Sequence, residues 1–165
     1  LARLAAMTGE RIMKMMSAEM SDLPRFMAPD VGGSNGFATV QKTVSALVAT
    51  IGQQAMPMPF AAIPVADRVE DYASLLMPGV EKFSAIVENL RYLVGIELMV
   101  AAQAVDLRTG ITLGQGTAAI QQAVRALVAP LTQDRAASPD IVALAEAIQQ
   151  QRLGPILTEL EEQLS

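Results

Sequence analysis

The chain has 165 residues, 52% hydrophobic but only 4% aromatic, with a formal net charge of −5 and neither cysteine nor histidine. Without cysteine there are no disulfides, thiolate nucleophiles or cysteine-based metal sites, and without histidine there is no Ser-His-Asp triad and no usual zinc or non-haem iron site within the chain. Lys and Arg are scattered singly in an acidic chain, so nothing tracks a phosphate backbone and no nucleic-acid partner is expected.

The length is that of one domain, and residues 1–165 read as a single helical domain or as a fragment of a longer chain. Leu, Ala, Val, Ile and ten Met must fill its core. Small and flexible apolar side chains suit helix bundles and subunit interfaces. A mean hydropathy of +0.34 is high for a soluble monomer. Either the chain enters a membrane or it hides apolar surface against other subunits. The best membrane window, Leu93 to Val105, has 13 residues and contains Glu97 and Gln103, whereas a span needs about 20 apolar residues with few charges. No membrane is therefore expected, and a homo-oligomer is. No basic stretch followed by an apolar one opens the chain, so a cytoplasmic location is expected. Leu1 stands in mid-helix pattern, which suggests a piece of a longer polypeptide.

In chain order, Leu1 to about Glu19 reads as a helix with a loose apolar face of Leu4, Ala5, Ile12, Met13 and Met16. Ser21-Asp22-Leu23-Pro24 ends it. Residues 24–36 read as loop, and Phe37 to about Gln54 as a second helix, apolar at Val40, Val44, Leu47, Val48 and Ile51. Pro57, Pro59 and Pro64 exclude regular structure after it. Glu70 to Arg108 is the dominant helical region, in which Pro78-Gly79 should kink or break the helix near its start. Gly110 and Gly114-Gln115-Gly116 form the next turn. Thr117 is expected to cap a helix to about Val128, and Pro139-Asp140 to open one to about Arg152. Ile156 to Gln163 reads as a short final helix. No segment shows strand alternation and no internal repeat is present, so the expected fold is all-α.

Three sets of residues invite a functional reading. In Ile63-Pro64-Val65-Ala66-Asp67-Arg68-Val69-Glu70-Asp71-Tyr72, two carboxylates stand where a loop enters a helix. Free N–H groups and the helix dipole favour negative charge there. The pair reads either as an N-terminal cap or as a carboxylate aimed at a substrate. Gly32-Gly33-Ser34-Asn35-Gly36-Phe37 reads either as an anion-binding loop or as a flexible helix entry capped by Ser34 or Asn35. It lacks the lysine and spacing of a phosphate loop. Gln41 follows one turn later and faces a neighbour or a site. Arg91 with Glu88, and Glu97, read as partners in intrahelical or cross-subunit pairs. Met7, Met13, Met15, Met16 and Met20 read as core or interface filler.

The order of these pieces resembles a known family. Leu23-Pro24, the Gly-rich loop into Gly36-Phe37, Gln41, Ile63-Pro64 and Glu70-Asp71 are similar to the C-terminal half of the histidine, phenylalanine and tyrosine ammonia-lyases. Ile86-Val87-Glu88-Asn89, Ile96-Glu97-Leu98 and the run from Ala101 to Arg108 resemble that family's central helix. Gly114, Gly116-Thr117, Arg125, Pro130-Leu131, Asp134-Arg135 and Ser138-Pro139-Asp140-Ile141 resemble its tail. The resemblance covers about residues 10–157.

The resemblance implies an all-α, long antiparallel helix bundle of the fumarase and aspartase type, assembled as a homotetramer. It implies an enzyme that removes ammonia from an amino acid to give an arylacrylate such as urocanate. It also implies a self-derived electrophile, the methylidene-imidazolone group, made from an internal Ala-Ser-Gly. That tripeptide does not occur here. The family's tyrosine base and its carboxylate-binding arginine also lie upstream of this stretch, so the chain alone is expected to be inactive. One role carries over. Glu70 falls on the glutamate that lines the substrate pocket of histidine-type enzymes, where it binds the far end of the substrate and assists proton transfer. Plant phenylalanine enzymes have glutamine in that slot, so Glu70 leans toward the histidine or tyrosine type. The sequence departs from the family at Met58-Pro59-Phe60, at Ala66-Asp67-Arg68-Val69, where the family has Ser-Ala-Asn-Gln, and at Tyr72, where it has His. An aminomutase on the same scaffold, or a helical assembly protein without chemistry, are the alternatives.

Overall fold

The computed structural model describes residues 1–30, 32–58, 63–64, 66–67, 69, 76–156 and 158, and no strand occurs among them. The helices are α1 (Ala2–Met15), α2 (Ala18–Ser21), α3 (Val40–Gln54), α4 (Leu76–Leu107), α5 (Gln115–Leu127) and α6 (Ser138–Gln149), with a 3-10 turn at Arg25–Met27 between α2 and α3. α4 is the axis of the structure. Its 32 residues make a rod of roughly 48 Å at about 1.5 Å per residue. α1 and α3 pack on each other and on α4, and α5 and α6 do the same.

The apolar spacing explains this arrangement. Val40, Val44 and Ile51 form one buried face of α3, and Ala5 and Ile12 face it from α1. α4 buries Leu93, Ile96 and Val100 and also Gly95, Met99 and Ala102, so it is covered on more than one side. A helix clad this way is apolar nearly all round, which accounts for the high hydropathy around residues 93–105. Gly95 is the point of closest approach to α6: a Cβ there would lie 3.3 Å from the Ala145 nitrogen and 3.3 Å from Leu144 Cβ. No described helix is long and apolar enough to cross a membrane.

Gln103, the polar residue in that apolar stretch, is buried and fully used. Its Nε2 donates to the Leu131 carbonyl at 3.1 Å, and the Leu131 N–H donates to its Oε1 at 2.9 Å. A buried polar side chain needs such partners. This one pins the connection between α5 and α6 to the C-terminal turns of α4.

Several boundaries differ from the sequence reading. The first helix does not run unbroken to Glu19. Ser17 takes an extended conformation (φ −89°, ψ 121°) and α2 restarts after it. The Ser21 hydroxyl donates to the Ser17 carbonyl at 2.7 Å. α3 begins at Val40, and residues 37–39 form a turn in which the Phe37 N–H donates to the Phe26 carbonyl at 2.8 Å. Pro78 does not break α4: the described helix is continuous from Leu76 through Pro78 and Gly79 to Leu107. Thr117 does not cap α5, which starts at Gln115 with Gly114 in the capping position. α6 ends at Gln149. Residues 154–156 are helical, and most of the expected final helix lies outside the described residues.

Candidate functional site

Glu70, the one residue assigned a catalytic and substrate-binding role from sequence, lies outside the described residues, as do Asp71 and Tyr72. The structure does describe the frame around that segment. α3 delivers the chain at Ala55 and α4 takes it up at Leu76. Where these two ends meet, a hollow of about 200 Å³ is lined by Gln54, Met56, Met58, Gly79, Lys82 and Phe83, among others. The Lys82 ammonium donates to the Met56 carbonyl at 2.5 Å. A cation at the C-terminal end of a helix meets free carbonyls and the negative end of the dipole. Leu76, Met77, Val80 and Phe83 leave an exposed apolar surface beside it.

The Gly-rich loop does hold an anion, and the anion is the chain's own. The Asp134 carboxylate accepts the Asn35 N–H at 2.7 Å, the Gly36 N–H at 3.0 Å and the Asn35 side-chain amide at 3.3 Å. Ser34 does not cap α3. Its hydroxyl closes a turn on the Asp30 carbonyl at 3.2 Å, and α3 has no side-chain cap bond. Gly36 is required: its φ is +54°, and a Cβ would lie 2.5 Å from the Phe26 carbonyl oxygen. Phe26 and Met27 are themselves left-handed, with φ of 60° and 57°. The segment is thus a clasp between three parts of the chain, and its donors are occupied.

The clasp holds the Asp134 carboxyl below its ordinary value of 3.8. The Asn35 N–H is the largest cause; desolvation opposes it, and the Gly36 N–H and Asn35 side chain add to it. A carboxyl whose folded pKa is depressed contributes stability that is fully present above its unfolded pKa. That stability is lost as pH falls through the folded pKa. Asp134→Asn is therefore expected to melt below the parent chain at neutral pH, with the gap closing as pH drops below 3.8. Thermal melts across that range check this. A gap that stays constant with pH would show that shape, not charge, holds the clasp.

The remaining polar groups tie helices together. Arg11 of α1 grips Glu97 of α4 with two nitrogens, at 2.5 Å and 3.0 Å, and Thr8 at 3.0 Å. Glu97 thus pairs within the chain, with α1. Its hydrogen bond and then its charge hold the Arg11 pKa above the ordinary guanidinium value. No ion pair of Arg91 or Glu88 occurs among the described residues. Arg125 meets Asp106 at 2.7 Å, and Gln121 donates to the same carboxylate at 2.7 Å, joining α5 to α4. Gln41 is half-buried at the start of α3.

A cleft of about 1150 Å³ lies between α4, α5, the end of α6 and the segment after it, lined by Val94, Leu98, Ile120, Ile148 and Leu153 among others. Among the described residues its polar side chains are Gln150, Gln151 and Thr158, and none is acidic or basic. It opens 18 residues along α4 from Leu76, roughly 27 Å along the helix at about 1.5 Å per residue. Among the described residues no group of acidic side chains is arranged to hold a metal. A methylidene-imidazolone group has no source here either, because the 165 residues contain no Ala-Ser-Gly. The described residues thus form a rigid frame without a complete catalytic set. Lys82 and Asp134 are the frame residues that sequence reasoning missed. Their partners, Met56 and Asn35-Gly36, lie 26 and 98–99 residues away, and no local pattern announces either bond.

The frame is found in known proteins. The model of the aromatic amino acid lyase family matches residues 1–126. A histidine ammonia-lyase from Anaeromyxobacter sp. (strain K) is 35% identical over 147 residues, which cover 89% of this chain and 29% of that enzyme. The ergothioneine-degrading enzyme ergothionase from Treponema denticola superposes with a TM-score of 0.87 at 32% identity, over 92% of this chain and 31% of its own. The tyrosine aminomutase from Streptomyces globisporus does so with a TM-score of 0.86 at 26% identity, over 96% and 30%. The chain therefore spans about 30% of the length of the relatives it matches. Its helical architecture is that of these enzymes, and the match extends well beyond half of its residues: the chain belongs to the aromatic amino acid lyase family.

Proposed function

We propose that this chain is the C-terminal helical part of a histidine-type ammonia-lyase, which eliminates ammonia from an L-amino acid to give an arylacrylate such as urocanate. The observation that carries the reading is the 35% identity to a histidine ammonia-lyase over 89% of the chain. In this reading Glu70 faces the far end of the substrate. A partly buried carboxylate beside an imidazole pairs with its cation and has a pKa that responds to burial, which suits it to proton transfer. The electrophile is supplied by protein outside this chain. The assembly is a homotetramer in the cytoplasm. Leu1, Leu4 and Met7 on or beside α1, and Leu76, Val80 and Phe83 on α4, are exposed. Apolar surface of that kind supports burial against other subunits.

The similarity to tyrosine aminomutase favours a second reading, in which the ammonia returns to the β-carbon. Product analysis tests both. The longer polypeptide that contains this chain is given L-histidine, L-tyrosine and L-phenylalanine in turn. Ammonia and an arylacrylate in equal amounts from histidine support the lyase. A β-amino acid identifies the aminomutase. No conversion of any of the three leaves a non-catalytic assembly protein.

A further inference from the structure

One face of α4 is apolar along its whole length and is buried by no described helix. The sequence returns to that face every three or four residues. Leu76, Val80, Phe83 and Val87 form its first half, and Leu90 stands at the centre. Val94, Leu98, Ala101 and Val105 form its second half. The buried residues of α4, among them Ile86, Leu93, Ile96 and Val100, point away from this stripe, and no member of the stripe is itself buried. Leu76, Val80 and Phe83 are 67%, 46% and 58% exposed. Leu98, Ala101 and Val105 border a hollow of about 390 Å³ beside α5. The stripe runs for roughly 44 Å at about 1.5 Å per residue. Apolar residues at this spacing over such a length seat another long helix, knob into hole.

The stripe is complementary to itself. A two-fold axis across α4 between residues 90 and 91 lays two copies antiparallel. It sets Leu76 opposite Val105, Val80 opposite Ala101, Phe83 opposite Leu98 and Val87 opposite Val94. Each pair occurs twice, as an isologous contact requires. The exposed half of the stripe thus meets the half that borders the hollow, with Phe83 falling at Leu98 and Val80 at the small Ala101. Charge agrees with this register. Glu88 and Arg91 flank the stripe on one side, three residues apart, and neither makes an ion pair among the described residues. The axis sets that flank against itself. Arg91 is then displaced by only about 3 Å along the helix axis from Glu88 of the second copy, and two such pairs form. The stripe itself carries no charge, so no like charges are opposed.

We propose that this face of α4 is an interface with a second copy of the chain, the two helices running antiparallel about an axis near Leu90. The proposal rests on the homo-oligomer read above and not on the reaction.

Cross-linking in the longer polypeptide that contains this chain tests it. Val80→Cys and Ala101→Cys together, treated with a short bis-maleimide, are expected to join two copies, and neither change by itself does so beyond the parent. Within one copy the two positions lie 21 residues apart on one helix, roughly 31 Å, beyond the reagent's reach. Each is as far from its own counterpart across the axis. Phe83→Glu, at an exposed side chain, is expected to weaken self-association about thirtyfold or more, the scale of a buried aromatic anchor, with helix content unchanged. Arg91→Glu weakens it about tenfold, and adding Glu88→Arg restores it. Sedimentation over a range of concentrations reads both. A polypeptide that assembles without the paired-cysteine cross-link, or whose association ignores Phe83→Glu, overturns this interface and leaves the homo-oligomer reading standing. A polypeptide that stays monomeric overturns both. A Phe83→Glu variant that melts well below the parent, with no cross-link between copies, shows that another part of the same polypeptide covers the face and also overturns the proposal.

Discussion

Glu70→Gln is expected to lower turnover of the enzyme that contains this chain by on the order of 10²-fold, the usual worth of a positioned acid or base, and to leave its melting temperature nearly unchanged. Glutamine keeps the shape of the side chain and its hydrogen-bonding reach. It removes the negative charge that would pair with an imidazole cation, and it removes the proton-accepting oxygen. If Glu70 were instead only a cap at a helix start, the same change would cost about 1 kcal/mol of stability or less and turnover would be untouched. Steady-state kinetics beside a thermal melt of the same variant separate the two roles. Normal turnover with a lowered melting temperature rules out the site.

Leu93→Ala carries the largest expected effect on the fold. Leu93 is completely buried in the middle of α4, the helix on which α1, α3, α5 and α6 all pack. Removing a buried leucine loses its transfer free energy and leaves a cavity that the surroundings only partly fill, a cost of about 2–5 kcal/mol. Here relaxation is restricted from two directions, by Ile96 and Val100 within α4 and by the tight α4–α6 contact at Gly95. The cost is expected in the upper part of that range. Denaturant titration of the chain checks it. A loss below about 1 kcal/mol would be outside the range for a close-packed leucine and would show that α4 is not the axis of the core.

What the sequence revealed and what it concealed divide by range. α4 was legible from its apolar spacing, because a helix covered on several sides leaves few polar interruptions. One of them, Gln103 near its C-terminal end, is a clamp that only the position of Leu131 explains. Pro78 does not break α4, although proline is the commonest interruption of a helix interior. The break at Ser17 was hidden because serine is neutral in mid-helix until its neighbours choose a turn. Asp134 entered the sequence reading only within the resemblance to the family's tail, since its partners are Asn35 and Gly36, 99 and 98 residues away. The anion-loop reading of residues 32–37 was half right in its chemistry, because the N–H groups do bind a carboxylate, but the carboxylate is internal. Glu70 was singled out only through resemblance. Residue types alone favoured a cap over a site at Glu70-Asp71, and the segment lies outside the described residues.

The central claim is that this chain supplies the frame and Glu70 while the electrophile comes from protein outside it. Ammonia release from L-histidine, measured with the chain by itself and with the longer polypeptide that contains it, tests that claim most directly. The account predicts no ammonia from the chain alone, which has no Ala-Ser-Gly, and ammonia with one equivalent of arylacrylate from the longer polypeptide. Ammonia from the chain alone, or none from the longer polypeptide with any aromatic amino acid, would contradict it.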